Sequence, residues 1–460
     1  MLPRRDFLRQ ALAGTGALIA PALVLGQVSG ERPPPATGCA VLNPRNRVPV
    51  SIIIDDSTCL VNLNRFAMPQ FNDTFDGANR VYQRNWREWP VEIPDAFIRE
   101  FSDWATEAGV KGKFSIVPFP ACVGRLDRGL PGWSQQQLKD SLELVRTGMM
   151  PRWDIHPEMI THTRVIDLST GQPYQDFSPR FMENWEWTTG RSVDEIAAYI
   201  AYALRILRDV GLPCEGITTP GGFGNRALPQ LAQASGEALR DVFKAEIPHY
   251  FRHLIDQGSE PVTPRVEYAQ NLSGADPRCV VSMIACTGDW TGGWDCTEPA
   301  GADKFITADG KGGRLVEVIE RGEPALLLAH WTGVYWNGRK LGLEIFREVV
   351  RRLHARFDNL EWMKLSEIAR YWAARELTQI AVQPNGVQFT APYSCPGFTV
   401  KVNTPNSRPP VVTSGPAGTI QRLQAVFRPG ELKSGTWHQV NDGIMASFDL
   451  PRGLTMLRWD

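Results

Sequence analysis

The chain has 460 residues, 43% of them hydrophobic, with 49 Lys and Arg against 50 Asp and Glu and a formal net charge of −1. That length leaves room for one large domain and a smaller one. Balanced charge without a basic run excludes a nucleic-acid binder.

At the N-terminus, Pro3-Arg4-Arg5-Asp6-Phe7-Leu8-Arg9 precedes the apolar stretch Ala11–Leu25. This resembles a twin-arginine export signal, with cleavage after Ala22 or near Gly26, and implies passage of the folded chain through the twin-arginine export machinery. Residues 1–26 are therefore read as signal, 27–44 as spacer, and the mature protein as periplasmic or secreted, without an integral membrane span. The eight cysteines contain no CxxC pair. Export permits disulfides, Cys286 with Cys296 among them, and buried free thiols fit equally well.

Val48–Ile54 is an apolar run with three consecutive isoleucines, the pattern of a strand buried on both faces of a parallel sheet. It ends in the acid pair Asp55-Asp56. Two carboxylates at such a place are costly to bury, and neighbours on a strand point to opposite faces. If both serve one site, the chain must curl out of the sheet there. Turn capping before Ser57-Thr58 is the plainer alternative.

Downstream, Pro94-Asp95 opens a helix with Phe97, Ile98, Phe101 and Trp104 on one face, and Lys113–Phe119 follows as a strand. Ser134 with Gln137, and Ser192 with Glu195, are capping boxes that start further helices. Met150–Ile160, Glu215–Thr219, Val281–Cys286 and Ala325–His330 read as strands, and Leu341–Phe357 as a periodic helix. Repeated β-then-α units predict a (β/α) barrel or an open doubly wound sheet over residues 45–377, with sites in the loops after the strands. From residue 378 to 460, short alternating runs broken by Pro and Gly predict a small antiparallel β-domain.

Asp55-Asp56, His162 and His330 all follow apolar strands, so a barrel would bring them to one rim. A carboxylate with imidazoles is a donor set for zinc or another divalent ion. The Asp55-Asp56 strand, Phe114–Pro118, the Glu158–Thr163 segment, Leu326-Leu327-Leu328-Ala329-His330 and Trp362–Ile368 come in the order of the polysaccharide deacetylase (NodB-homology) family. The resemblance covers about residues 45–375. It implies a deacetylase-like barrel, irregular or seven-stranded, that removes acyl groups from a glycan. It also implies Asp55 as catalytic base, Asp56 and His162 as metal ligands, and His330 as general acid, around a divalent metal, zinc. The family's second metal histidine would fall at residue 166, which is Ile. His156, or Asp167 as its substitute, is the expected third ligand. On an extended strand His156 and His162 would stand roughly 20 Å apart, so sharing an ion requires a bend at Pro157. The family's Arg-x-Pro reads Thr218-Thr219-Pro220, followed by Gly221-Gly222 suited to close backbone approach.

Trp290, Trp331 and Tyr335 sit beside strand ends and, with Thr219 and Gly221, are the expected substrate-binding residues, although core packing is the plainer reading of any tryptophan. Two other functions compete. One is a glycoside hydrolase using Asp55 with Glu158 or Asp289, and the other a non-catalytic glycan-binding protein.

Overall fold

The computed structural model describes residues 30–297, 299–404, 408–415 and 418–459. The signal segment expected over residues 1–26 lies outside them. No helix among the described residues is long and apolar enough to cross a membrane.

The elements run β1 (Cys39–Val41), β2 (Val48–Asp55), α1 (Leu63–Thr74), α2 (Asp95–Glu107), β3 (Gly112–Ser115), α3 (Gln135–Leu144), β4 (Trp153–His156), β5 (Ile166–Asp167) and β6 (Gln172–Pro173). Next come α4 (Val193–Asp209), β7 (Gly216–Thr218), α5 (Leu228–Phe243), β8 (His249–Leu254), β9 (Arg265–Gln270) and β10 (Arg278–Ala285). After these lie α6 (Arg314–Glu320), β11 (Ala325–His330), α7 (Leu341–Arg356), β12 (Leu360–Trp362) and α8 (Leu365–Leu377). Every residue of β2 and β11 is buried, as their apolar runs require. Both capping boxes form: the Ser134 and Ser192 hydroxyls accept the N–H groups of Gln137 and Glu195, whose side chains reach back.

The body is a mixed α/β structure with two open sheets. In one, β11, β2, β3 and β4 lie parallel in that order, and β12 pairs with the start of β2. In the other, β7, β8 and β10 are parallel and β9 is antiparallel on the edge. The expected closed barrel is not found. Among the described residues the backbone bonds between the sheets are Thr218 N–H to Pro157 carbonyl (3.0 Å) at one seam and Cys286 N–H to Leu326 carbonyl (2.8 Å) at the other. Proline has no N–H, so Pro157 ends the β4 ladder where the chain turns away. The strand expected over Met150–Ile160 is correspondingly just four residues long.

Residues 379–459 form β13 (Gln379–Gln383), β14 (Gly386–Ala391), β15 (Cys395–Asn403), β16 (Val411–Ser414), β17 (Thr419–Arg422), β18 (Gln424–Ala425), β19 (Thr436–Val440), β20 (Gly443–Leu450) and β21 (Gly453–Arg458). They make two mostly antiparallel five-stranded sheets, β1-β15-β20-β19-β18 and β13-β14-β21-β16-β17. Cys39–Val41, expected within a spacer, is thus an edge strand paired with β15. All eight cysteines are free thiols, and Cys286 and Cys296 do not pair.

Candidate active site and metal centre

β2 delivers Asp55 and Asp56 to different neighbours because the chain changes course between them. Asp56 has φ +61°, a left-handed conformation that ends the strand and swings its carboxylate outward. Asp55 stays on the ladder, where His330 of β11 is its register partner. Its Oδ1 lies 2.5 Å from Lys113 Nζ, and both side chains are wholly buried. Lys113 also donates to the Ile54 carbonyl (2.9 Å) and Ser115 Oγ (2.8 Å). A buried lysine on β3 therefore holds the acid in place.

The loop after β4 carries the partners of Asp56. His162 Nε2 stands 2.7 Å from Asp56 Oδ1 and 3.4 Å from Glu158 Oε1. Glu158 Oε2 accepts the Asp56 backbone N–H at 2.8 Å. All three side chains are buried, and donor atoms from each lie within 4.8 Å of one another. Neither Asp56 oxygen, nor Glu158 Oε1, nor His162 Nδ1 makes an aligned hydrogen bond. Buried polar atoms left in that state are costly unless something else engages them. Two carboxylates and an imidazole converging this way fit a divalent cation with positions left for water. Burial would push the His162 imidazole down, but the Asp56 and Glu158 carboxylates outweigh it and hold it well above the usual histidine range. Burial acts upward on Glu158, and His162, Lys113 and the Asp56 N–H more than offset it.

Met159 and His162 both adopt positive φ (+52° and +64°) in this loop. Glu183 keeps them there. Its carboxylate accepts N–H groups from Ile160 (3.2 Å), Thr161 (3.1 Å) and His162 (2.6 Å), and the Tyr199 hydroxyl at 2.6 Å. Burial nevertheless pushes the Glu183 carboxyl up to about 7.

His330 and Asp289 form a dyad, Nδ1 to Oδ2 2.6 Å, both nearly inaccessible. Phe71 faces the His162 ring and joins it to an aromatic cluster with Tyr82, Trp185 and Trp294. Phe71 lies 6.5 Å from the imidazole, 5.2 Å from Trp185 and 5.9 Å from Trp294, and Tyr82 lies 5.8 Å from Trp294.

Two of the expected third ligands are elsewhere. His156 lies on β4 itself, before the bend, and meets His249 and Thr218 instead of Asp56. Asp167 opens a turn, accepting the Ser169 N–H and hydroxyl on Oδ1 at 2.9 and 2.7 Å. The residue that reaches Asp56 is Glu158, four residues before His162 and not four after it. Among the expected substrate residues, Trp331 is fully buried against Phe97, Phe101 and Phe114. Trp290 packs edge-on to Phe305, and Tyr335 packs on Phe97. Thr219 donates its N–H to Phe251, and the Gly221 carbonyl accepts from Arg252. A Cβ at Gly221 would meet the Asn184 carbonyl at 2.8 Å. These five residues hold structure together in the arrangement seen.

No family profile and no curated protein matches the chain. Among solved structures, a candidate glycoside hydrolase/deacetylase from Parabacteroides distasonis is similar at TM-score 0.37 and 12% identity, covering 86% of this chain and 91% of that one. The α-fucosidase of Thermotoga maritima gives 0.29 and 10%, covering 89% and 94%. A family 30 subfamily 8 xylanase from Clostridium acetobutylicum gives 0.30 and 11%, covering 79% and 92%. Likeness this loose carries no argument about chemistry, and the functional reading rests on the side chains.

Proposed function

We propose that the chain is an exported, metal-dependent hydrolase that removes acyl groups from a glycan, on a mixed α/β body of two open sheets. The observation that carries this reading is the convergence of Asp56, Glu158 and His162 beside two further groups suited to moving protons, Asp55 and the His330–Asp289 dyad. A divalent ion held by the first three residues would polarise an acyl carbonyl and lower the pKa of a water molecule there. Asp55, fixed by Lys113, takes the proton that the attacking water gives up. His330, oriented by Asp289 at its Nδ1, gives the proton that the leaving amine or hydroxyl takes up. Phe71, Tyr82, Trp185 and Trp294 offer ring faces for a sugar beside the metal position.

The test is acetate release from acetylated chitin oligomers and acetylated xylan by metal-loaded protein. Asp55→Asn and His330→Ala should each lower kcat by about 10²–10⁴-fold, and Asp56→Ala should abolish ion binding as well. Reducing ends without acetate would point to glycoside hydrolysis instead. Glycan binding unchanged by chelator, with no turnover, would point to a binding protein.

A further inference from the structure

β4, β7 and β8 bring a second group of donors together where their sheets meet, and no part of the proposed reaction uses it. His156 Nε2 and His249 Nε2 lie 3.0 Å apart, and neither residue has any exposed surface. Asp154, two residues before His156 and on the same face of β4, places a carboxylate oxygen within 4.8 Å of both. The two rings meet over Gly216, the register partner of His249 on β7. A Cβ there would fall 2.4 Å from each Nε2, so the space exists because residue 216 is glycine.

We propose that Asp154, His156 and His249 form a second, structural site for a zinc-class divalent ion, with both imidazoles wholly buried and Asp154 at its edge. Two imidazoles and one carboxylate are a donor set of that class. Nitrogens 3.0 Å apart can both reach one ion at about 2.1 Å. Outer contacts of the kind that orient metal ligands are in place. Ser366 donates its N–H (2.6 Å) and hydroxyl (2.8 Å) to Asp154, and Thr218 Oγ1 lies 3.3 Å from His156 Nδ1. A hydrogen bond between the rings alone would use just one proton, and His249 Nδ1 makes no aligned hydrogen bond.

The two sites are told apart by counting ions. The full mature chain is refolded with zinc, dialysed against buffer or EDTA, and assayed for bound metal by mass spectrometry. Wild type should hold two equivalents in buffer and keep one through EDTA, since two wholly buried imidazoles slow release of the ion. Asp56→Ala/His162→Ala should hold one equivalent, resistant to EDTA. His249→Gln and His156→Gln should each hold one, removed by EDTA. Should a histidine variant misfold, ¹¹³Cd spectra of the loaded wild type serve instead, with one resonance expected to persist in the Asp56→Ala/His162→Ala variant. Wild type with no EDTA-resistant ion, or a lone cadmium resonance that vanishes with Asp56 and His162, would overturn the second site. A metal count unchanged by Asp56→Ala/His162→Ala would overturn the active-site reading and leave the second site standing.

Discussion

Glu158 is the residue that most changes the chemistry expected of Asp56 and His162. A second carboxylate gives the site two formal negative charges beside one imidazole, a set that suits oxygen-preferring ions as well as zinc. Zinc gains more than manganese from a nitrogen donor, so Glu158→His should raise the ratio of zinc to manganese affinity by about an order of magnitude or more. Calorimetric titration of both metals into both proteins measures it, and an unchanged ratio would mean that Glu158 does not touch the ion. The Asp55–Lys113 pair makes a sharper demand, because each side chain is wholly buried and neither has water to turn to. Lys113→Met strands the Asp55 carboxylate and should cost about 3–5 kcal/mol of stability. Asp55→Asn/Lys113→Met removes both charges and should recover much of that loss. Denaturant melts of the single and double variants give the comparison, and additive losses would count against a direct pair.

At the scale of elements, strands with uniform apolar runs were legible in the sequence, and β11 begins and ends at the residues expected. His249–Leu254 and Arg265–Gln270 were not read as strands, because His249, Arg252, His253, Arg265 and Glu267 interrupt the hydrophobic pattern with groups that the fold buries or half-buries. The Asp56–His162 pairing was legible from its place after strands. Glu158 as their partner was not, since the spacing points there only once the loop folds back at Pro157. Lys113 had a signal of its own, a charged residue sharing one face of a buried strand with Ser115. The polar residues within strands also have a titration consequence. Glu267 on β9 is buried, accepts Ser282 Oγ of β10 at 2.6 Å, and burial pushes its carboxyl up to about 7 from an ordinary 4.5. Between those values the native state binds the extra proton, so this group's contribution falls as pH rises, by on the order of 3 kcal/mol in all. Glu267→Gln cannot titrate. The stability difference between it and wild type should therefore swing in favour of the variant from pH 4.5 to pH 7, as read by urea melts across that range. A difference flat with pH would show that Glu267 keeps its ordinary affinity for protons.

At the scale of the whole molecule, the C-terminal sandwich and the parallel-strand body share one interior. Ile53, Phe251, Leu326 and Leu328 from the body belong to the same packed cluster as Phe389, Phe398 and Phe448 from the sandwich, with Ile368 and Trp372 of α8 between them. Tyr371 ties the layers with polar contacts as well, donating to the Leu42 carbonyl at 2.8 Å and accepting the Thr399 N–H at 3.2 Å. β1 crosses the same boundary, because residues preceding the body complete a sheet of the sandwich. Cooperativity follows from this arrangement, since neither part can open without exposing apolar surface of the other. Full-length protein should melt in one transition seen alike by calorimetry and by tryptophan fluorescence. Phe398→Ala, which deletes a ring packed on Phe389 and Phe448, should lower that single transition by about 3–5 kcal/mol without splitting it. A chain ending at residue 377 should fail to give a soluble, cooperatively folded body. Two separated transitions, or a stable body without its sandwich, would mean that the shared cluster contributes little, and the C-terminal strands would then be free to act as an independent module.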